Sequence, residues 1–431
     1  MNIMISGGRV IDPAQSLDQV TDLYISQGEI RAIGVAPDGF HADEVINADG
    51  QIVCPGLIDL CTTLREPGQT RKGSIASETA AAAAGGITTL VVTPDTSPVI
   101  ETAAVAELIQ DRAADIGFAR VLPMGALTQG LQGEQLAPLH GLASSGCIAF
   151  TNLRRPFGNS QILLRCLEYA ATHDLLVVFQ AQDAALAANG CMHDDTTSTR
   201  LGLNGIPEAA ETIEVSRCLL LVEQTGVRAH FGQLSCERSV RMIEAARERG
   251  LHVTADVAIQ NLLLTDESVN GFNSAYHVQP PLRSQLDRAG LRQGLVTGTI
   301  SAICSDHQPH DPIAKQAPFA ATEPGMSGLE TLLPLSLRLV EQQLLELPQL
   351  IESLTIAPAR ILGLDAGTLE VGSQADICVF DPETEWNVTP ESLRSAGKNT
   401  PFLGHTLKGQ VNATLMDGRI VFRRQPGRPE H

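Results

Sequence analysis

Side chains able to do chemistry gather just after short apolar runs in this chain of 431 residues. In order they are Cys61 and Thr63, Thr93 and Asp95, Thr151 and Asn152, Gln180 and Gln182, Gln233, Gln260 and Asn261, then Asp306 and His307. Amides and hydroxyls dominate. The carboxylates, imidazoles and thiolates that hold metal ions or move protons near neutral pH are few. Arg65 follows the first run and His310 the last, both able to meet an anion.

The elements that must position these groups follow from hydropathy rhythm. Eight strand-like runs recur: GLIDLCTTL from Gly56, GITTLVVTP from Gly86, ARVLPMGAL from Ala119, CIAFTN from Cys147, LLVVFQAQ from Leu175, RAHFGQLS from Arg228, HVTADVAI from His252 and SAICSDHQP from Ser301. Segments with helical spacing, such as SIASETAAAAAGG and ERSVRMIEAARERGL, separate most of them. Eight strand–helix units predict a (β/α)8 barrel of the TIM type, with its chemistry at the C-terminal ends of the strands. A doubly wound open sheet is the competing architecture, but no glycine-rich dinucleotide loop follows the first run. Residues 1–54 and 366–431 read instead as short alternating strands with Gly and Asp-Gly breaks. They predict one small β-sandwich domain built from both termini, flanking a barrel over 55–365.

Composition bounds the function. The chain carries 30 basic and 49 acidic residues, a net charge of −19, which argues against nucleic acid or an anionic membrane as partner. Nine cysteines without a CxxC pair predict reduced thiols and a cytoplasmic protein. No signal peptide or membrane span is expected. Lysine occurs only at positions 72, 315, 398 and 408.

Several segments resemble dihydroorotases and, more broadly, the cyclic amidohydrolases. PGLIDLCTTLREPGQ is similar to the family's first-strand motif, and GGITTLVVTPDTSP to its second. RLGLNGIPEAAE, VQPPLR, CSDHQPH, PGMSGLET, LTIAPARILGL, GTLEVGSQADICVFDP and NTPFLGHTLKGQV match in order, so the resemblance runs from Pro55 to Val411. It implies the amidohydrolase barrel with a binuclear zinc site. The implied ligands are nevertheless replaced. Cys61 and Thr63 stand where the first strand has two histidines. Thr151, Asn152 and Leu153 stand where the fourth supplies a bridging carboxylate or carboxylated lysine. Gln180 and Gln233 replace the histidines of the fifth and sixth strands, and only Asp306 remains. No lysine lies between Lys72 and Lys315, so a carboxylated lysine is excluded there. Zinc needs three or four N, S or O donors at about 2 Å, and neutral amides and hydroxyls are poor ones. Neither a metal nor any other cofactor is expected. On the substrate side, Arg65 and His310 match residues that meet the dihydroorotate carboxylate, whereas Asp95 replaces an asparagine and places a negative charge beside them.

Each residue also has a plainer reading. Arg65 is expected to pair with Glu66, Asp95 or Asp306, and Asp306 to take a hydrogen bond from His307, Arg65 or a backbone N–H. Gln180 and Gln233 fill space as amides that hydrogen-bond within the emptied pocket, and Cys61 is a small buried apolar group. His230 is placed on the opposite strand face from Gln233 and so discounted as a ligand. His193 and Asp194 are read as solvent-facing.

The vestigial pocket thus comprises Cys61, Thr63, Arg65, Asp95, Asn152, Gln180, Gln233, Asp306 and His310. The expectation is a catalytically inactive chain. The resemblance implies a specific role for such a chain, a non-catalytic subunit of aspartate transcarbamoylase in pyrimidine biosynthesis, and a homodimer is expected. Two alternatives stand beside it: a hydrolase with a changed substrate using Asp306 with Cys61 or His307, and a sensor holding a pyrimidine-pathway ligand through Arg65 and His310. Loop 311–325, which in the family closes over substrate, is either mobile or a docking element.

Overall fold

A computed structural model describes residues 1–424. Eight parallel strands form the barrel: Leu57–Thr62, Ile87–Val92, Arg120–Ala126, Ala149–Thr151, Val177–Phe179, Ala229–Phe231, Val253–Ala258 and Ala302–Cys304. These are the eight runs read from the sequence, in the same order, and they are called the first to eighth barrel strands below. Neighbours pair in parallel register throughout, for example Val178 with His230 and Asp256 with Ala302. The eighth strand meets the first through the Thr62–His307 bridge. Asp59 reinforces this closure, its carboxylate accepting from the Ser305 backbone N–H at 2.7 Å and the Ser305 hydroxyl at 2.6 Å.

Helices cover the barrel because their sequences begin with capping residues and carry one apolar stripe. Ser74 caps helix Ile75–Ala84, Asn159 caps Ser160–Thr172 and Ser284 caps Gln285–Val296, each side chain accepting from first-turn backbone N–H groups. Two apolar layers result. Ile58, Leu60, Val91, Met124, Val178 and Cys304 fill the barrel interior together with Ala359 and Ile361, from a helix Ile356–Leu362 that plugs the N-terminal end. A larger layer lies between strands and helices, where Phe179 and Phe231 meet with ring centroids 5.2 Å apart.

The two termini build one eight-stranded sheet. Strand Asn2–Asp12 pairs antiparallel with Leu17–Ser26 and parallel with Glu44–Asn47 and Ile52–Pro55. C-terminal strands Ile377–Asn387, Thr406–Met416 and Arg419–Arg423 continue it, joined where Cys378 lies opposite Cys54. Arg120 ties this sheet to the third barrel strand, with Nη1 2.7 Å from Asp376 and Nη2 2.8 Å from Asp417. The end of the expected C-terminal segment, 425–431, lies outside the described residues. No described helix is long and apolar enough to cross a membrane.

Candidate functional site

At the C-terminal ends of the strands the polar rim closes on itself around one side chain that the sequence reading passed over. Arg154, in the loop leaving the fourth strand, reaches across the barrel mouth. Its Nη2 donates to Gln233 Oε1 at 2.6 Å and its Nη1 to Gln180 Oε1 at 3.3 Å. The two amides that stand in the fifth- and sixth-strand histidine positions therefore share one guanidinium. Gln180 Nε2 lies 3.6 Å from Cys61 Sγ, which in turn lies 3.9 Å from Asp306 Oδ1. Cys61, Gln180, Gln233 and Asp306 are all buried, and the bonded-amide reading of the two glutamines holds.

The partners of Asp306 differ from those expected. Gln308 donates to Oδ1 at 3.0 Å and Gln260 to Oδ2 at 3.3 Å. His307 is turned away instead, with Nε2 2.8 Å from Glu78 and Nδ1 accepting from the Gly328 backbone N–H. Burial pushes the Asp306 carboxyl up to about 7; Arg154 and the Gln308 hydrogen bond pull it down, while Asp256 and Asp59 add to the rise. Burial, then the Asp306, Asp59 and Asp256 charges, push the Cys61 thiol well above its ordinary range. That thiol is a poor nucleophile and a poor ligand.

The other members of the expected pocket divide into two groups. Thr63 stays in it, its hydroxyl 3.1 Å from that of Thr93. Asn152 does not join: it accepts from Thr128 at 2.6 Å and donates to the Arg155 carbonyl, so the fourth strand contributes Arg154 where Asn152 was expected. Arg65 donates its Nε–H to the Pro309 carbonyl at 3.0 Å, and its Nη2 lies 3.2 Å from His310 Nε2. This replaces the expected pairing with Glu66 or Asp306, although Asp95 lies close enough to act on the Arg65 charge. Among the described residues, Asp95 Oδ1 and His310 Nδ1 are buried without a hydrogen-bond partner. Burial first, then Arg65, hold His310 down at about 4, so it meets any ligand as a neutral imidazole.

Loop 311–325 lies against this side of the site. Glu323 bonds Lys72 at 2.5 Å and lies 3.4 Å from His310, while Lys315 donates to the His277 and Glu323 carbonyls. Asn399 fastens the loop's ends, donating to the carbonyls of Gln308 and Gly325.

Two further placements correct the sequence reading. His230 does not face away from the site: it neighbours Val178 of the interior layer, and its Nε2 lies 2.8 Å from Asp256 Oδ2. The other Asp256 oxygen accepts from the Gln233 backbone N–H at 2.7 Å. Strand alternation fails because the strand ends at Phe231 and Gln233 has a left-handed φ of 54°. His193 is buried beside Arg283, 3.1 Å from its Nη1, whereas Asp194 is exposed as expected.

This donor set does not fit a zinc pair. Asp306 is the carboxylate beside Cys61, the thiol holds its proton, and the amide oxygens of both glutamines point at a guanidinium. Among the described residues, no group of three or more His, Cys, Asp or Glu is arranged to hold a metal ion. Arg154 supplies positive charge within the ring of residues that in the family's motifs are ligands. Its signal was visible as the two arginines directly after TNL, but a loop residue's reach cannot be read from strand periodicity.

Comparisons with known proteins agree with this architecture. A family model described as dihydro-orotase-like matches residues 50–239, and one described as amidohydrolase family matches residues 326–422. A Pseudomonas aeruginosa protein named dihydroorotase-like protein is 54% identical, the match covering 98% of this chain and 99% of that protein. A Geotalea daltonii protein named dihydroorotase is 42% identical over 98% of this chain and 100% of its own length. Among solved structures, the L-hydantoinase (dihydropyrimidinase) from Arthrobacter aurescens superposes with a TM-score of 0.88 at 24% identity, covering 99% of this chain and 97% of that one. At that identity the likeness speaks for the fold.

Proposed function

This chain belongs to the dihydroorotase-like amidohydrolases, and from that premise we propose that it is a non-catalytic member acting as a subunit of aspartate transcarbamoylase. One observation carries the loss of catalysis: the Arg154 guanidinium held between Gln180 and Gln233. Hydrolysis of a cyclic amide by this family's chemistry needs an activated hydroxide and a Lewis acid on the carbonyl. A guanidinium bonded to two amides supplies neither. On the substrate side, Arg65 is held by the Pro309 carbonyl, and Asp95 faces the place where a ligand carboxylate would dock.

The assembly role rests on the resemblance. A chain that keeps its barrel, closed loop and terminal sheet without a metal centre retains what is needed to fold and present surfaces. The role places the protein in the cytoplasm, as a homodimer bound to transcarbamoylase catalytic chains, without nucleic acid or membrane. The test is affinity purification of this chain from native extract, with transcarbamoylase assayed in a strain lacking it. A fixed ratio of the two chains and lost activity in the deletion strain are expected. A fully active, free transcarbamoylase in that strain refutes the role.

A second reading has one observation in its favour. Asp306, pushed to about 7, is half-protonated near neutral pH, as a general acid or base should be. A hydrolase built on Asp306 with Cys61 or His307 would retain tightly bound zinc, lost in D306A or C61A, or show amidase activity abolished by D306N. Metal analysis and an assay on dihydroorotate and hydantoins decide between the readings.

A further inference from the structure

On the face opposite the polar rim, two cavities adjoin at the N-terminal ends of the sixth to eighth strands. One, of about 330 Å³, is lined by Arg228, His252, Thr254 and Arg360 over an apolar floor, with no carboxylate. The other, of about 450 Å³, shares Thr254, Arg360 and Ile361 with it and continues over Leu295 and Ile300 to Gln349 and the carboxylate of Glu352. Each is of the size that encloses a small metabolite. We propose that this cleft binds a small organic phosphate, with its oxyanion among Arg228, His252 and Arg360 and its body along the second cavity.

Charge makes this place distinct. In a molecule of net charge −19, three basic side chains from three elements converge on one hollow. Arg228 and His252 each immediately precede a barrel strand, and Arg360 lies in the last turn of the plugging helix. The helix end accounts for Arg360 alone, since cations favour that position. It does not account for the other two. Their side-chain chemistry is also left unused. Among the described residues Arg228 makes only a 3.7 Å ion pair with the exposed Asp174, and Arg360 only a 3.4 Å contact with the half-exposed Glu352. Exposed pairs of such length hold little, so guanidinium donors remain for a ligand. Two guanidinium forks and an imidazole suit the several acceptor oxygens of a phosphate better than the two of a carboxylate.

The cleft is also connected to the rim. The Thr254 hydroxyl, which lines both cavities, lies 2.8 Å from His230 Nδ1. His230 then meets Asp256, Asp256 accepts from the Gln233 backbone, and the Gln233 amide holds Arg154. A hydrogen-bonded chain therefore runs along the barrel interior from one face to the other. A ligand that takes the Thr254 hydroxyl changes the environment of His230.

Calorimetry on the full chain with inorganic phosphate, ribose 5-phosphate and succinate tests the site, together with the His230 imidazole signals in NMR. Ribose 5-phosphate is expected to bind at least tenfold more tightly than phosphate or succinate and to shift the His230 signals. The double variant R228Q/R360Q should lose at least tenfold in affinity, with its melting temperature unchanged. R249Q, at an exposed arginine outside the cleft, should bind like the parent. Tighter binding of succinate, equal binding of phosphate and ribose 5-phosphate, or affinity unchanged in R228Q/R360Q overturns the proposal.

Discussion

Arg154 and Asp306 show how buried charges are accommodated at the barrel mouth. Removing a metal leaves a buried carboxylate, and an uncompensated buried charge is costly. Here two amide donors, Gln260 and Gln308, and a nearby guanidinium share that burden, yet the carboxyl still sits at about 7. An unfolded aspartate titrates near 4. Between the two values the folded protein binds the extra proton, so Asp306 lowers stability progressively as pH rises through this window, with the full penalty above about 7. D306N removes that ionisation, and a flipped Gln308 can accept from the new amide. It is expected to stabilise the protein by about 1–3 kcal/mol at pH 8 and hardly at all at pH 4, read by urea unfolding. R154A leaves two buried amide oxygens without their donor and should cost about 1–2 kcal/mol. It should also move Asp306 further up, read as a shift of the same pH-dependent window. Of this centre, the substituted positions Cys61, Gln180 and Gln233 were legible from motif alignment. Arg154 was not, because its role depends on where a loop carries a long side chain. Gln260 was visible as a rim residue and Gln308 only within CSDHQPH, and that both face Asp306 depended on the backbone turn at Asp306 itself, whose φ is 46°.

At the level of elements, loop 311–325 is docked rather than free. Its polar links combine the Glu323–Lys72 pair, where Glu323 is half-exposed, with buried hydrogen bonds of Thr322 to His277 and of Gly325 to Asn399. Burial lowers Lys315 to about 8 even though Glu323 works against the shift. E323Q removes the Lys72 partner and should increase hydrogen exchange across 311–325 while changing global stability by less than about 1 kcal/mol, as exposed ion pairs do. A deeper fastening holds the C-terminal segment 393–399 to the barrel. Glu78 accepts from Ser395 at 2.6 Å and from the Ala396 backbone, and its other close partner is His307 at 2.8 Å. Although burial alone would raise it, these hydrogen bonds hold the Glu78 carboxyl below its ordinary value. E78A should therefore cost about 3–5 kcal/mol, measured by denaturant unfolding, since it strands buried donors and an imidazole together. Glu78 lies within the Ala-rich helix that the sequence showed plainly, yet nothing in helical periodicity marks that carboxylate as the anchor for a loop some 317 residues away.

Over the whole molecule, the non-catalytic reading requires that the barrel and terminal sheet form without metal. Dialysis against a strong chelator is accordingly expected to leave the melting temperature unchanged, as followed by differential scanning calorimetry. The converse experiment rebuilds the centre. C61H/T63H/Q180H/Q233H with R154A returns four imidazoles around Asp306 and removes the competing cation. That variant should retain at least one zinc after gel filtration where the parent retains none, by elemental analysis. Retention of zinc by the parent would count against the non-catalytic reading, whatever its partner.

The order of eight strands, the closing of both termini into one sheet and the absence of a histidine-rich rim could all be decided from the chain alone. They depend on local periodicity, turn residues and residue identity, which are one-dimensional properties. What the tertiary structure decided is which side chains meet. It turned Asn152 aside and brought Arg154 in, faced His230 inward onto Asp256, and buried His193 against Arg283. The chain leaves regular strand geometry before Asn152 and Arg154, and again between His230 and Gln233, so side-chain direction there follows from loop dihedrals and packing rather than from alternation.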